Sequence, residues 1–404
     1  MKKMKETAAI VMSILTLVSA LGCSNSQSSN SSGSGTAASA STGSTVGASS
    51  SGGVIKMGLV AGVTGGSAIY AAQMVNGTKL AVKEINAEGG ILGKQIDLIV
   101  GDDKSTPEEA VTVTQKMVNQ DKVSVWLGTV SSTNTLADLS VTNKAGILAM
   151  APIAAADSIT ETGSGLVFRN CANNSMQVKQ LCDYIAKNRS EKKFAIIAEN
   201  TEYGKSLVDN FQKDITALGC QVLDTEYYTV GSTDFYNQLT NLKQRSPQGV
   251  TICGMVAEGA QILKQAKELG LNTQFFSFGG FMGEQPIQLA GAAADGIIHT
   301  EYFTPVKGDP VIEKFVDSYT KEYGKTPDTY YSAGMYDAVY LVKAAIEKAK
   351  TADDDQAIAK AMQSINYKGV MGTVTFDEKG QANMKVWMGQ VQNQKQVVIY
   401  RPQS

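Results

Sequence analysis

The sequence predicts an α/β protein with two doubly wound lobes, each built around a mainly parallel β-sheet. The first observation behind this prediction is the alternation of short apolar runs with longer amphipathic segments, which is typical of βα units. The second is that two such series follow one another in a chain of 404 residues, which is longer than one typical domain. The composition agrees, because 43% hydrophobic and 18% charged residues are ordinary for a soluble globular protein.

Residues 1–22 precede the lobes and are predicted to form a signal peptide. Three lysines stand among the first five residues, and residues 7–22 are nearly all apolar or small, a run shorter than a typical membrane span. The run ends in the letters ALGC at residues 20–23, which resemble the lipobox of bacterial lipoproteins, although Ala20 stands where a leucine is usual. The resemblance implies cleavage before Cys23 and lipid attachment to its thiol. The alternative is an ordinary secretory signal.

Residues 23–53 are predicted to be a disordered linker behind the lipidated cysteine. They consist almost entirely of Ser, Gly, Ala, Thr and Asn, without hydrophobic periodicity. Such a segment buries too little apolar surface to offset its chain entropy. As a flexible coil of about thirty residues it spans roughly 30 Å, so the lobes are expected to move close to a membrane surface.

The first βα series begins directly after the linker. Its predicted strands are residues 55–63, 96–102, 123–130 and 147–151. A helix follows each of the first three strands. The clearest helix start is Thr106 as N-cap, Pro107 at the first helical position and Glu109 three residues past the cap. The third helix, residues 132–145, is closed by Gly146.

The second series repeats the same pattern before the chain changes character. Its predicted strands are residues 194–199, 221–228, 249–254, 273–278 and 296–303, and its predicted helices are residues 203–218, 235–244 and 258–269. Two more helices are predicted at residues 310–323 and 332–349. The tail, with apolar runs at residues 373–376, 384–391 and 396–400, is predicted to form short antiparallel strands.

Several functional classes are excluded by what the sequence lacks. A single histidine, His299, makes a multi-histidine metal site or a Ser-His-Asp triad a poor interpretation. Four cysteines, Cys171, Cys182, Cys220 and Cys253, form no CxxC pair and are predicted to be small buried residues, with a Cys171–Cys182 disulfide left open. The net charge of −2 and the missing phosphate-loop fingerprints argue against nucleic acid or nucleotide binding. No enzyme activity and no cofactor are expected.

A binding site is expected where the strands of the two lobes end. Ligands of open α/β sheets bind outside the carboxyl ends of the strands, and the deepest concavity of a two-lobed protein lies between its lobes. The most informative loop is residues 129–133, which carries hydroxyl groups at the start of a helix. Because a helix N-terminus offers free N–H groups, this loop suits a carboxylate. The alternative is that Ser131 or Ser132 only caps the helix.

The order and spacing of several short stretches resemble the leucine/isoleucine/valine-binding protein family, the type I periplasmic binding proteins of ABC importers. These stretches are residues 77–82, 85–93, 102–103, 107, 128–133, 152, 202–204, 261–266, 336–338 and 371–372. The match covers nearly all of residues 54–404. It implies two lobes joined by three crossing segments. The first lobe is expected to comprise residues 54–170 and 302–368, and the second residues 171–301 and 369–404.

The resemblance also implies roles for individual residues. In this family a serine matching Ser132, next to Ser131, meets the ligand carboxylate. A tyrosine matching Tyr203 reaches across from the second lobe, and one matching Tyr70 helps to line the side-chain pocket. Contacts from both lobes at once are what hinge closure requires.

The end of the site that would hold an ammonium group departs from the family pattern. The amino-acid binders often have a threonine where this chain has Ala155, beside Ala154. They have an aromatic residue near Met255 and an acidic residue near Gly279. We therefore expect no charged partner for an α-ammonium group, with Glu258 close by as the exception. A buried unpaired ammonium group would be costly.

This departure leaves the ligand open among a carboxylate without an amino group, a neutral polar molecule and an amino acid that is held differently. Phe278, Phe281 and Met255 are expected to form a larger apolar wall, which would suit a bulky or aromatic ligand.

The function predicted from these observations is that of a solute-binding lipoprotein. It would be a monomer anchored by lipid on the outer side of the cell membrane. It would capture an amino acid or a related small carboxylate or polar solute by hinge closure and deliver it to an ABC permease. The alternative is a ligand-sensing module of the same fold that feeds a receptor.

Overall fold

The computed structural model describes residues 53–305, 307–327 and 329–401. The predicted signal peptide of residues 1–22, Cys23 and the linker up to residue 52 lie outside the described residues. Within the described part, no helix combines the length and the apolar character that crossing a membrane would take.

The described strands alternate with helices along most of the chain, as the sequence predicts. The strands are β1 (Val54–Ala61), β2 (Gln95–Asp102), β3 (Val125–Gly128), β4 (Leu148–Met150), β5 (Val167–Phe168), β6 (Lys193–Glu199), β7 (Gln221–Tyr228), β8 (Gly249–Cys253), β9 (Gln274–Ser277), β10 (Ile298–Glu301), β11 (Tyr367–Gly369), β12 (Gly372–Val374), β13 (Trp387–Gln392) and β14 (Lys395–Tyr400). The helices are α1 (Ala68–Ala87), α2 (Pro107–Lys116), α3 (Ser132–Ala145), α4 (Asn174–Asn188), α5 (Glu202–Ala217), α6 (Tyr236–Gln244), α7 (Val256–Glu268), α8 (Gln285–Ala290), α9 (Pro310–Tyr323), α10 (Tyr330–Ala349) and α11 (Asp355–Gln363).

The first sheet has the order β2-β1-β3-β4-β5 with parallel pairing throughout. Successive side chains of a strand point to opposite faces, and both faces of this sheet are covered. Met57 and Leu59 of β1 belong to a core shared with α1 and α10, whereas Val60 belongs to a separate core with Trp126 and Leu139. Two covered faces are the mark of a doubly wound sheet.

The second sheet has the order β14-β13-β10-β9-β8-β6-β7. The strands β6 to β10 pair in parallel, while β13 pairs antiparallel with both β10 and β14. Ile196 packs into one core and Ile197 into another, so this sheet is also covered on both faces. The α/β class, the two parallel-sheet cores and the antiparallel tail are therefore confirmed.

The chain passes between the two sheets three times: after β5, after β10 and before β13. Between the last two crossings, α10 packs against α1 of the first sheet. The crossings agree with the predicted fold. The residue limits of the lobes stay a prediction.

Local sequence signals set the helix starts. The Thr106 side chain accepts a hydrogen bond from the N–H of Glu109, and Pro107 occupies the first turn of α2, as predicted. The Ser131 side chain caps α3 by accepting from the N–H of Asn134 at 3.4 Å. Thr129, Val130 and Ser131 form the loop and the cap that precede α3. The strand β3 therefore ends at Gly128 rather than at residue 130.

The four cysteines of the described part are buried and unpaired, so their prediction as small core residues is confirmed. The Cys171–Cys182 disulfide that the sequence left open is not formed.

Candidate ligand-binding site

A cavity of about 680 Å³ opens among the loops that follow the strands of both sheets. Its volume lies within the usual range for small-molecule sites. The lining comes from both sheets' carboxyl ends, as sequence reasoning expects. It comprises residues 65–70, 104, 105, 107, 130–134, 153, 155, 199–201, 203, 230, 231, 255–258, 280, 289, 330 and 331.

Most of the residues predicted for the site line this cavity. They are Tyr70, Ser131, Ser132, Ala155, Tyr203 and Met255. The other three predicted residues, Ala154, Phe278 and Gly279, are buried and do not belong to the lining; Gly280 lines the cavity instead.

The expected apolar wall is only partly present. Met255 lines the cavity, but Phe278 and Phe281 are 1% and 0% exposed and belong to cores behind it. Phe278 packs in the same core as Ala155 and so supports the wall from behind. The apolar lining comes mainly from other side chains, among them Val130, Ile153, Val256, Tyr330 and Tyr331.

The N-terminus of α3 forms one end of the cavity. Ser132 is 2% exposed, and its hydroxyl oxygen accepts a hydrogen bond from the N–H of Ala156 at 3.2 Å. This leaves the hydroxyl hydrogen of Ser132 available to a ligand. The first N–H groups of a helix have no partner within the helix, and its dipole is positive at this end. The arrangement suits a carboxylate.

A buried carboxylate fixes the loop that leads into α3. Asp103 is 1% exposed and accepts hydrogen bonds from the hydroxyl of Thr129 at 2.8 Å and from the side-chain amide of Asn134 at 3.0 Å. It also accepts from the N–H of Ser105 at 2.8 Å. These three bonds hold the serines of the helix N-terminus in place from behind.

Two tyrosines bind backbone groups at the opposite wall. The phenol oxygen of Tyr70, on α1, accepts a hydrogen bond from the N–H of Val256 at 2.9 Å. The phenol oxygen of Tyr203, on α5, accepts one from the N–H of Gly280 at 3.3 Å. Burial raises the pKa of both phenols above the usual value of 10.0, so both stay neutral at physiological pH.

Gly280 cannot be replaced without disturbing this wall. A Cβ atom there would lie 2.7 Å from the carbonyl oxygen of Gly254 and 3.0 Å from the phenol oxygen of Tyr203. The absence of a side chain therefore allows Tyr203 to reach the backbone.

Two buried carboxyl groups line the cavity. The sequence names Glu258 as the exception to an uncharged ammonium end, and it does not indicate Glu199. Glu258 is 8% exposed, and its Oε1 accepts a hydrogen bond from the N–H of Gly231 at 2.8 Å. Glu199 is 5% exposed, and its Oε1 accepts one from the hydroxyl of Thr201 at 2.6 Å. Burial, together with the charge of Glu258, raises the pKa of Glu199 to about 7.

These carboxyl groups change the conclusion about whether the site could bind an ammonium group of the ligand. The expectation of an uncharged site rests on Ala155 and Gly279, but acidic side chains enter the cavity from β6 and α7 instead. The signal that could have found Glu199 is its position as the last residue of a buried strand, at the edge where ligands bind. The argument against an amino group on the ligand is therefore removed.

The described residues hold no group of three His, Cys, Asp or Glu side chains that could bind a metal ion. His299 is 0% exposed within β10 and does not line the cavity.

Comparison with known proteins points to one family. A sequence model of the periplasmic binding protein family matches residues 54–396. The Leu/Ile/Val-binding protein homolog 1 of Brucella abortus (strain 2308) is 32% identical, over 81% of this chain and 87% of that protein. The leucine-, isoleucine-, valine-, threonine- and alanine-binding protein of Pseudomonas aeruginosa is 30% identical, over 81% of this chain and 86% of that protein.

A solved structure gives a similar result. The branched-chain amino acid transporter substrate-binding protein LivJ of Streptococcus pneumoniae, in complex with isoleucine, superimposes with a TM-score of 0.78 at 30% identity. The match covers 86% of this chain and 100% of that one.

Proposed function

We propose, from the premise that this chain belongs to the periplasmic binding protein family, that it captures an apolar α-amino acid outside the cytoplasm for an ABC importer. The family membership confirms the resemblance that the sequence indicates and the two-lobed fold that it implies. The relatives are solute-binding proteins and not enzymes, so the expectation of a non-enzymatic protein is also confirmed.

The observation that carries the ligand proposal is the polarity of the cavity. One end presents the N-terminus of α3 with Ser131 and Ser132, and Glu258 enters from another wall. An α-amino acid carries a carboxylate and an ammonium group, and each needs a partner when it is buried. The apolar lining between them suits an aliphatic or aromatic side chain. An apolar zwitterion therefore matches the site better than a carboxylate without an amino group.

The roles proposed for the predicted residues follow from this placement. Ser131, Ser132 and the backbone of Ala155 bind the carboxylate, Glu258 pairs with the ammonium group, and Met255 borders the side chain. Ala154, Phe278 and Gly279 support the lining without contacting the ligand.

Capture requires the two lobes to close on the ligand. The limits we propose are residues 54–170 and 302–368 for the first lobe, and residues 171–301 and 369–404 for the second. Two hydrogen bonds already join them at the cavity: Tyr70 to Val256, and the N–H of Glu202 to the hydroxyl of Thr133 at 3.3 Å. A ligand that touches both lobes adds contacts that only the closed form has, so it shifts the population towards closure. The closed form is then presented to the permease.

The location we propose is the outer side of the cell membrane, where a monomer is tethered by lipid on Cys23 and the linker that follows. The support is the lipobox-like sequence at residues 20–23 behind a basic and apolar start. Cys23→Ser should release the protein from the membrane fraction and abolish its labelling by a radioactive fatty acid. A variant that remains membrane-bound would contradict the tether.

The ligand proposal is tested by a thermal-shift screen of the purified protein. The panel contains L-leucine, L-isoleucine, L-valine and L-phenylalanine, each with its 2-oxo acid analogue that lacks the amino group. A ligand at a hundred times its Kd should stabilise the protein by about 2.7 kcal/mol, a shift of several degrees. We expect the amino acids to bind at least about tenfold more tightly than the oxo acids, since only they pair with a carboxylate.

The matched variants are Glu258→Gln in the cavity and Glu268→Gln at the exposed end of the same helix. Glu258→Gln should reduce the preference for the amino acid, and Glu268→Gln should leave it unchanged. Oxo acids that bind as tightly as amino acids to the wild-type protein would show that the ligand is a carboxylate without an amino group.

A further inference from the structure

A fully buried arginine lies behind the carboxylate end of the cavity. Arg169 follows β5 directly and is 0% exposed. Its Nη1 donates hydrogen bonds to the carbonyl oxygens of Ala154 at 3.3 Å and Ala156 at 2.5 Å, and its Nε donates to Oε1 of Gln381 at 2.5 Å. Its Nη2 is buried and has no hydrogen-bond partner among the described residues.

This guanidinium has no carboxylate bonded to it. None of the ion pairs found in the described residues includes Arg169. Asp157 and Asp377 are close enough for their charges to interact with the guanidinium of Arg169, but neither forms a hydrogen bond with it. Burial lowers the pKa of Arg169 from its usual value, but an arginine remains protonated in proteins. Buried charges are normally paired, and an unpaired one is costly.

The wall that Arg169 holds is the wall of the carboxylate subsite. Ala155 lines the cavity and lies between the two residues whose carbonyl groups bind the guanidinium. The next N–H, that of Ala156, donates to the hydroxyl oxygen of Ser132. A continuous set of hydrogen bonds therefore runs from Arg169 through the Ala154–Ala156 backbone to the serine at the N-terminus of α3.

The same arginine is fixed at a crossing between the lobes. Its N–H donates to the carbonyl of Gly380 at 2.8 Å, and its own carbonyl accepts from the N–H of Ala382 at 2.8 Å. The side chain of Gln381 also donates to the carbonyl of Cys171 at 2.9 Å. These bonds keep the charge in one place at the pivot, where hinge motion displaces the chain least.

On the basis of the proposed function, we propose that Arg169 is a specificity-determining residue whose unpaired charge, placed behind the Ala154–Ala156 wall, makes the site select a carboxylate. The ligand carboxylate adds a negative charge near a guanidinium to which the protein bonds no carboxylate and which only the charges of Asp157 and Asp377 reach. Arg169 acts through the wall and does not touch the ligand, so it is a positioning residue. In a medium of low dielectric its charge favours an anion over a neutral group of the same shape.

The test compares L-leucine with L-leucinamide, which keeps the ammonium group and the side chain but replaces the carboxylate by a neutral amide. Calorimetric titration of the full protein gives both affinities for the wild type, Arg169→Gln and Arg169→Lys. We expect Arg169→Gln to lower the affinity for leucine by about tenfold to a hundredfold and that for leucinamide by less than about threefold. Arg169→Lys keeps the charge and should keep the preference for leucine.

A second variant tests the same idea without removing the arginine. Gln381→Glu preserves the shape but places a carboxylate beside Nε of Arg169, so the protein supplies its own counter-ion. The preference for leucine should fall in this variant as well. Gln381→Glu also keeps the inference testable if Arg169→Gln does not fold.

The outcomes separate this inference from the proposed function. Equal losses for both probes in Arg169→Gln, or an unchanged preference in Gln381→Glu, would show a purely structural role and overturn the inference. A wild-type protein that binds leucinamide as tightly as leucine would overturn it while leaving an amino-acid ligand in place. A wild-type protein that binds neither probe nor any other amino acid of the thermal-shift panel would overturn both.

Discussion

Ser132 stabilises the fold and is also a side chain that is proposed to bind the ligand carboxylate. Its hydroxyl oxygen accepts from the N–H of Ala156, and its hydrogen is available in the cavity. Ser132→Ala should therefore remove a ligand contact and loosen the wall at Ala156. The loss of one hydrogen bond is worth about 1 to 1.5 kcal/mol, so we expect ligand affinity to fall about tenfold in a calorimetric titration.

The matched control is Ser140→Ala, on the same helix. Ser140 is exposed, and its hydroxyl bonds only the carbonyl of Ala137 among the described residues. Its affinity for the ligand should equal that of the wild type. An equal loss in both variants would assign the effect to the helix and not to the subsite.

The raised pKa of Glu199 predicts that the stability of the folded protein depends on pH. Its pKa is raised from 4.5 to about 7 in the folded protein by burial and by the charge of Glu258. A folded pKa above the unfolded one stabilises the protein below about pH 4.5, and this contribution is lost as the pH rises through about 7. Glu199→Gln has no such proton to lose. The melting temperature of the wild type relative to this variant should therefore fall between pH 4.5 and 7.

The measurement is a series of thermal melts at half-unit pH steps, with the exposed Glu268→Gln as the control. The control should follow the wild type throughout. Curves of the wild type and Glu199→Gln that run parallel would contradict the raised pKa.

The sequence predicts a site residue best when that residue lies directly after a strand. Ser132 and Tyr203 follow buried strands, and both resemble residues of a known family, so their place in the cavity lining was predictable. Phe278 was placed in the lining, but the chain there turns it into the core and presents Gly280 to the cavity. Arg169 gave no signal, because the burial of an arginine depends on partners that are distant in the sequence.

At the scale of elements, the N-termini of two helices meet across the cavity. Tyr70 lies in the first turn of α1, and its phenol accepts from the N–H of Val256, the first residue of α7. Tyr70→Phe leaves this N–H without its acceptor and removes one bond between the lobes. We expect ligand dissociation, measured by stopped-flow fluorescence, to become about fivefold faster, since one neutral hydrogen bond is worth about 1 kcal/mol.

Tyr236→Phe is the control for the lost hydroxyl. Tyr236, on α6, is 39% exposed, and its phenol hydroxyl donates a hydrogen bond to Glu268 at the end of α7. Its dissociation rate should match that of the wild type. A Tyr70→Phe variant with an unchanged rate would show that this bond does not limit opening.

The elements that the sequence predicted carry complete local signals. The helix α2 has its cap, its proline and its acidic first turn within the four residues from Thr106 to Glu109, and α3 ends at a glycine with a φ of 70°. The pattern does not predict α4, because the strand before it, β5, has only two residues and no βα alternation is visible there. Its Asn173 cap becomes recognisable only once the crossing of the chain is known.

At the scale of the whole molecule, the two-lobed fold was predictable because it repeats one rule. The central strands β1, β3, β6 and β8 bury side chains on both faces, so they read as nearly continuous apolar runs. The pairing of the last strands with β10 was not predictable, because it joins segments about ninety residues apart. The crossings that this pairing creates are the segments about which the lobes would turn in the proposed closure.

Opening of the lobes should therefore be controllable by a bond between them. The N–H of Glu202 and the hydroxyl of Thr133 lie 3.3 Å apart, at the starts of α5 and α3. The double variant Thr133→Cys/Glu202→Cys places two thiols at this contact. The native cysteines of the described residues should not compete, since all four are buried.

Oxidation of the double variant in the absence of ligand should close the cavity and stop binding, and a thiol reductant should restore it. The mass of the oxidised protein, measured with and without alkylation, verifies the bond. Each single variant, treated with the same oxidant, is the control and should bind ligand throughout. Because a ligand that enters a closed cavity must part the lobes, rapid binding by the fully oxidised double variant would mean that entry does not require hinge opening. The proposed coupling between capture and closure would then fail, even if the ligand itself is the one proposed.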